Sequence, residues 1–413
     1  MRKVTKTILL AVTVIAVLLG CSKTDSLSTI TTTSPTTAVV PVTTTTVDPY
    51  ANIKIAFGTN IDLTSLFNYA NQNKPNYIQK DNGTANPITD AKSTLGRVLF
   101  YDKNLSIDNT ISCSSCHNQK FAFGDTAVQS DGVQSGLTVR HAMRLVNSRF
   151  GEENKFFWNE RAATLEIQTT MPIQDHAEMG FSGLNGRGTM TTLLAKLSGI
   201  GYYKELFKYA YGDTIVTENR LQTSLAQFIR SIQSFDSKYD IGRAQVNNNN
   251  ANFPNFTAVE NTGKNLFSTP PVFDGNSIRI SGGLGCNGCH RAPEFDIDSN
   301  SRNNGIIGTI GSTALDIANT RSSSLRDLIN PSGIANTPMM HTGQFKTIQE
   351  VLAHYNNISN VRNTNLDPKL RPNNIGQKLN MTTDEITAIT AFMKTLTGTA
   401  VYTDKRWSDP FIK

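Results

Sequence analysis

Six histidines, five cysteines and two tryptophans are all that 413 residues hold of these types, so metal or redox chemistry must be concentrated in a few places. Basic tracts and aromatic-studded cationic stripes are missing, which excludes nucleic acid as an implied partner. The 12-residue run from Ile8 to Leu19, apolar except for Thr13, falls short of the roughly 20 residues a spanning helix needs. Preceded by Arg2, Lys3 and Lys6 and followed by Gly20, it reads as a secretory signal peptide over residues 1–20. The formal charge of +6 leans on that leader. Without its three cations the balance of 39 basic and 33 acidic side chains falls to +3.

What is present begins with "LLGC", which resembles a bacterial lipobox and predicts cleavage before Cys21 and lipidation of that cysteine. Several acyl chains would give stable membrane anchoring where one would not. The expected location is therefore the periplasm, with the protein lipid-anchored to the membrane. From Thr24 to Asp48 the chain is a Thr/Ser/Pro/Val tract with no aromatic residue and no helical or strand period. Residues 21–50 accordingly read as a tether.

The other four cysteines form two pairs, Cys113/Cys116 before His117 and Cys286/Cys289 before His290. None remains for a disulfide framework. The stretches ahead of them repeat: Gly96-x-x-Leu99-Phe100 leads to Cys113, and Gly263-x-x-Leu266-Phe267 leads to Cys286. A period of about 170 residues implies two related domains rather than a solenoid. Residues 51–245 and 246–413 are assigned to them. Leu221, Leu225, Phe228, Ile229 and Ile232 share a helical face behind a Thr217 cap. Thr257 with Glu260, Thr347 with Glu350 and Thr382 with Glu385 have capping-box form, and Gly398 reads as a helix stop. Strand signals are weak. The predicted fold class is mostly α, with two cytochrome c-like haem domains and long irregular loops.

Haem attachment is the reading that fits both pairs. Cysteines at i and i+3 fall on one helical face with the histidine just beyond, so two thioether bonds can hold a porphyrin where the imidazole reaches the iron. A zinc site would need four ligands in complementary pairs. An exported chain, moreover, delivers free dithiols to an oxidising compartment, where they rarely last. A thioredoxin-like dithiol wants one motif in a βαβ setting, and here there are two without it.

The chain resembles the bacterial dihaem cytochrome c peroxidase family, in particular its MauG-like branch. The resemblance runs from about Leu95 to Gly398, through "LGRVLFYDKNLS", both CxxCH motifs, "FFWNERAATLEIQ", "PIQDHAEMG", "TPMMHTGQF" and "IQEVLAHY". It implies two covalently bound haem c groups, held by Cys113, Cys116 and His117 and by Cys286, Cys289 and His290. It also implies that Glu178 is the catalytic acid–base, that Gln168, ten residues earlier, is its pocket partner, and that Trp158 stands between the haems. Pro172 lies between Gln168 and Glu178, as in that branch. Alone, Glu178 would read as a surface helix-capping acid and Trp158 as core; their joint spacing makes them site residues. Peroxide cleavage needs a group that takes a proton from one oxygen and returns it to the other, which a carboxylate can do. His176 reads as a loop residue.

Two departures from the family pattern carry further expectations. The stretch "SDGVQSGLTVRHAM" has no histidine before His141, so the usual blocking ligand is missing and the first iron is expected to be open at rest. His141 stands where the family has an Asn and reads as an interdomain hydrogen-bonded residue, with a displaced iron ligand as the alternative. That Asn belongs to a calcium site which would also use carbonyls of Asn336 and Pro338. With histidine in its place an oxygen donor is lost, which argues against calcium. The second departure is Tyr355, 17 residues after Pro338, where the peroxidases carry a methionine. Tyr355 is the expected sixth ligand of the second haem iron, with Met340, and also Met339, as alternatives; a phenolate favours more oxidised iron than a thioether does. His341 and His354 read as packing or polar support. The expected activity is reduction of hydrogen peroxide with electrons from a small c-type cytochrome or cupredoxin donor. The alternatives are a MauG-like oxidase acting on a partner protein and a non-catalytic electron carrier.

Overall fold

The computed structural model describes residues 48–152, 155–336 and 338–412. The signal peptide, Cys21 and the tether as far as Val47 lie outside the described residues. The fold is mostly helical: among the described residues the sheet is limited to two short antiparallel ribbons, Pro271–Phe273 with Arg279–Gly282 and His290–Arg291 with Asp296–Ile297.

The sequence repeat has a packing cause. The Asp90–Tyr101 helix crosses the Glu218–Ser231 helix at Gly96, where a Cβ would stand 2.0 Å from the Ser224 carbonyl oxygen. The Ala258–Ser268 helix crosses the Thr383–Thr395 helix at Gly263, where a Cβ would stand 1.9 Å from the Ala388 carbonyl oxygen. Four residues after each glycine a phenylalanine meets the partner helix: Phe100 packs on Phe228 at 5.2 Å between ring centroids and Phe267 on Phe392 at 5.3 Å. Gly-x-x-Leu-Phe is thus the signature of one helix crossing made twice.

The capping boxes at Thr257, Thr347 and Thr382 form with Glu260, Glu350 and Glu385. Thr217 caps its helix by accepting the Arg220 N–H. Gly398 is not the helix stop: the last helix ends at Thr395, and Gly398 donates its N–H to Asp327 Oδ1 at 2.9 Å. Its Cβ position is filled by Ser234 Oγ and Asp236 Oδ1, so it serves a close approach between segments.

Two large apolar cores result, beside a small cluster of Ile358, Leu366 and Leu370 packed on Tyr355. One gathers residues from Ile53 to Ile232, and the other runs from Tyr239 to Leu396. The end of the chain returns to the first core through Val401 and Trp407. Tyr101 Oη donates to the Trp407 carbonyl at 2.6 Å and Arg97 Nε to the Ser408 carbonyl at 2.7 Å. Against Tyr239 and Phe295 of the second core Arg326, fully buried, forms a bidentate pair with Asp240 at 2.9 and 3.0 Å. Removing one partner of such a pair costs about 3–5 kcal/mol, because the other charge is left buried and alone.

Candidate active site

A cavity of about 140 Å³ is lined by His117, Trp158, Gln168, Pro172 and Glu178, together with Cys116. Cys113–Cys116 is a single α-helical turn after Ser112, whose N–H donates to Ser115 Oγ at 3.1 Å. His117 follows as the cap residue, and its Nδ1 lies 3.2 Å from the Phe123 carbonyl oxygen. That carbonyl is turned back by two non-glycine residues in the left-handed region, Ala122 at φ 54 and Phe123 at φ 59. Such a pair costs energy and persists only where its surroundings impose it. With Nδ1–H given to a carbonyl, Nε2 keeps a lone pair that could ligate a metal.

The Leu165–Gln174 helix supplies one wall through Leu165, Gln168 and Pro172, spaced three and four apart on one face. Thr164 starts the helix by accepting the Ile167 N–H. Pro172 has no N–H, so the Gln168 carbonyl lacks its intrahelical partner. Glu178 is half-buried, and its N–H donates to Asp175 Oδ1 at 3.0 Å. Burial first, then the charge of Asp175, push the Glu178 carboxyl up to about 7, against the pull of Arg161. An acid poised there can take up and release a proton near neutral pH.

The loop over Glu178 is the one that lacks a histidine. Val133 N–H donates to the Glu178 carbonyl at 3.0 Å. Gly132 and Gly136 press on the Ala177 carbonyl oxygen, which lies 1.9 and 2.3 Å from where their Cβ atoms would stand. Neither position has room for a side chain. His176 turns its Nδ1 to Ser182 Oγ at 2.9 Å.

Trp158 lines this cavity and also a second one of about 480 Å³. Its Nε1–H donates to the His141 carbonyl at 2.7 Å, and its own carbonyl accepts N–H groups of Thr320 (2.9 Å) and Arg321 (3.1 Å). His141 is buried, donates its N–H to the His341 carbonyl at 2.9 Å, and holds the Ala127 carbonyl through Nδ1 at 2.9 Å. His341 in turn meets the Trp158 ring at 6.2 Å. Among the described residues no three His, Cys, Asp or Glu side chains gather as a cation site.

The second cavity is lined by Cys286, Cys289, His290, Met340 and Tyr355. Here the motif is a 3₁₀ turn, Cys286–Gly288, with Cys289 as its cap. Burial pushes the His290 imidazole down to about 4, and its Nδ1 has no hydrogen-bond partner. Tyr355 is also pushed up by burial. Asn304 Nδ2 donates both to Tyr355 Oη, at 3.4 Å, and to Met340 Sδ, at 3.3 Å. Met339 lines the same cavity, with its N–H paired to the Phe345 carbonyl at 2.8 Å.

The donors fit c-type haem. All four described cysteines are free, and burial pushes Cys113, Cys116 and Cys286 up to about 12 and Cys289 up to about 11. Arg144, a cation that burial destabilises, lines both cavities with Nη2 on the Ser324 carbonyl at 2.9 Å and Nε without a partner. An acidic group such as a haem propionate would satisfy it. Sequence reasoning missed Arg144, Asn304, Gly132 and Gly136. None carries a motif; each is identified only by what the fold brings to it.

Residues 90–247 match the sequence profile of the di-haem cytochrome c peroxidase family. The chain is 26% identical over 324 residues to the methylamine utilization protein MauG of Methylophilus methylotrophus, covering 77% of this chain and 85% of that one. It is 27% identical over 311 residues to cytochrome c551 peroxidase of Nitrosomonas europaea, covering 74% and 79%. Among solved structures, a MauG-like protein associated with microbial copper homeostasis superposes with a TM-score of 0.63 at 26% identity. That match covers 82% of this chain and 99% of the other.

Proposed function

Because the chain belongs to the family of di-haem cytochrome c peroxidases and MauG-like proteins, we propose that it is a periplasmic, lipid-anchored oxidoreductase that reduces hydrogen peroxide to water. The observation that carries this reading is Glu178. It is a half-buried carboxyl held near pH 7 on the same cavity as His117 and Gln168.

A haem c at each motif, in residues 51–245 and 246–413, would supply a redox-active iron and an electron-storing macrocycle. His117 and His290 would each give Nε2 as a ligand. In the first cavity Glu178, as carboxylate, would accept a proton from one oxygen of peroxide and return it to the other, which leaves as water; the remaining oxygen would leave as a second water after two electrons from the donor and two protons are taken up. The Gln168 amide, which can donate and accept, orients the substrate. The loop bearing Gly132 and Gly136 keeps the Glu178 backbone fixed, so the acid stays placed through the proton transfer. Trp158 touches both cavities and would shorten an electron's path between them. In the second cavity Tyr355 is the proposed sixth ligand and Met340 the alternative. Electrons would come from a small c-type cytochrome or a cupredoxin.

Tyr355 on the second cavity favours one further reading, a MauG-like oxidase that turns the same oxidising power on a partner protein. EPR of the resting ferric protein tests the shared core of both: one high-spin and one low-spin haem are expected, with turnover on adding peroxide. Two low-spin six-coordinate haems inert to peroxide would leave an electron carrier. Turnover with reduced small cytochromes separates the peroxidase from the oxidase. A lasting near-infrared band formed by peroxide without reductant would favour the oxidase.

A further inference from the structure

One side chain meets both rival ligands of the second cavity. Asn304 Nδ2 lies 3.3 Å from Met340 Sδ and 3.4 Å from Tyr355 Oη. The orientation of this amide is fixed by its other end, because Oδ1 accepts the Ile306 N–H at 3.1 Å. A flipped amide would turn its oxygen on two acceptors and its NH₂ on a donor.

The backbone here is pinned as well. His354 Nε2 bonds the Asn304 carbonyl at 2.9 Å, from the residue just before Tyr355. Gly305 follows at φ 96, with His354 Cε1 3.2 Å from where a Cβ would stand. On the other side Gln377 Nε2 donates to the Tyr355 carbonyl at 2.9 Å. Met340 sits in the left-handed region at φ 70, in a turn closed by the Gly343 N–H on its carbonyl at 3.0 Å. Both candidate ligands are thus held on one cavity wall, with one oriented donor between them.

We infer that Asn304 is the positioning residue that selects the sixth ligand of the second haem, favouring the oxygen of Tyr355 over the sulfur of Met340. The inference rests on the proposed haem ligation by His290 and one of these two side chains. The two acceptors gain unequally from the same N–H. A hydrogen bond to an anionic, metal-bound phenolate is charge-assisted and roughly twice as strong as a neutral one. A thioether sulfur is a weak acceptor. Taking the donor away therefore costs Tyr355 more than Met340 and tips the competition toward sulfur. Second-shell partners of this kind also tune the metal they never touch.

The test uses the haem-loaded protein, with two haems per chain checked by their pyridine adduct so that misfolded variants are set aside. Ligand identity is read by low-temperature EPR and near-infrared magnetic circular dichroism, and the midpoint potential of the second haem by titration. Asn304→Leu removes the donor; Asn304→Asp removes it at constant size and keeps an acceptor for Ile306. Both should lose at least half of the tyrosinate low-spin signal, gain a His/Met signature and raise the midpoint. Adding Met340→Leu to Asn304→Leu should abolish that new signature. If both Asn304 variants keep the parent spectrum and midpoint while Tyr355→Phe changes them, the ligand reading stands and the selector role is overturned. If Tyr355→Phe changes nothing, Tyr355 is not the ligand, and the inference falls with that reading.

Discussion

At Cys113–Cys116 the chain makes one α-helical turn behind Ser112, whereas at Cys286–Gly288 it makes a 3₁₀ turn entered through Gly285 at φ 69. Each motif is followed by a phenylalanine whose carbonyl accepts a leucine N–H: Leu145 on Phe123 at 3.2 Å and Leu325 on Phe295 at 3.0 Å. Only the Phe123 carbonyl also takes the histidine of its motif, His117, leaving His290 with a free Nδ1. A histidine whose second nitrogen is hydrogen-bonded is the more basic ligand and is held in one orientation. The walls differ more: Glu178 and Gln168 line only the first cavity, Tyr355 and Met340 only the second, while His141 and Met143 line both. The two halves thus share the CxxCH motif and the helix crossing. They differ in the side chains that line each cavity.

The hardest blow to that contrast is aimed at Glu178. In Glu178→Gln, kcat/KM for peroxide should fall about 10²–10⁴-fold, the range expected for a positioned acid–base group. The spectrum of the second haem should stay as it is, since Glu178 lines only the first cavity. A loss below tenfold would mean that the two cavities do not differ in acid–base chemistry.

What the two halves share can be tested at the paired glycines. Gly96→Ala and Gly263→Ala each force a methyl onto a backbone carbonyl of the crossing helix. Overpacking of this sort costs about 1–3 kcal/mol, read as a lower midpoint of chemical denaturation. The two losses should be similar, because the crossings are alike down to the phenylalanine pairs. A loss at only one glycine would make the repeat one of sequence alone.

The repeat was legible in the sequence but its cause was not: the crossing appears only when the fold brings Ser224 and Ala388 against the two glycines. The capping boxes were legible, since a threonine and a glutamate three residues on satisfy each other. Asn304 was not. It lies in an Asn-rich loop among residues of the same type, and its partners stand 36 and 51 positions away. Nor was the return of Trp407 to the first core, which depends on Tyr101 and Ser231 far up the chain. Gly398 shows the converse error. A glycine after a helix suggests a stop, but this one makes room for Ser234 and Asp236. The cavities could be located from cysteine spacing, but the residues that distinguish them are brought there by tertiary contacts.

The finest test of the contrast is pH. In its proposed role Glu178 must be ionised to accept the first proton, and burial with Asp175 holds it near 7. Below that value the ionised fraction shrinks, so kcat/KM for peroxide should drop about fivefold between pH 7 and pH 6. The limb should vanish in Glu178→Gln. The same shift has a sign in stability: raised from 4.5 to about 7, the group keeps in the folded chain a proton that the unfolded chain has lost. Its contribution is full below pH 4.5 and is lost as pH rises through 7. Glutamine has no such loss, so Glu178→Gln should match the parent at pH 4 and resist urea better at pH 8. An advantage that does not grow between those values would show that Glu178 is not strained by its cavity. The first cavity would then lack the tuned acid that sets it apart from the second.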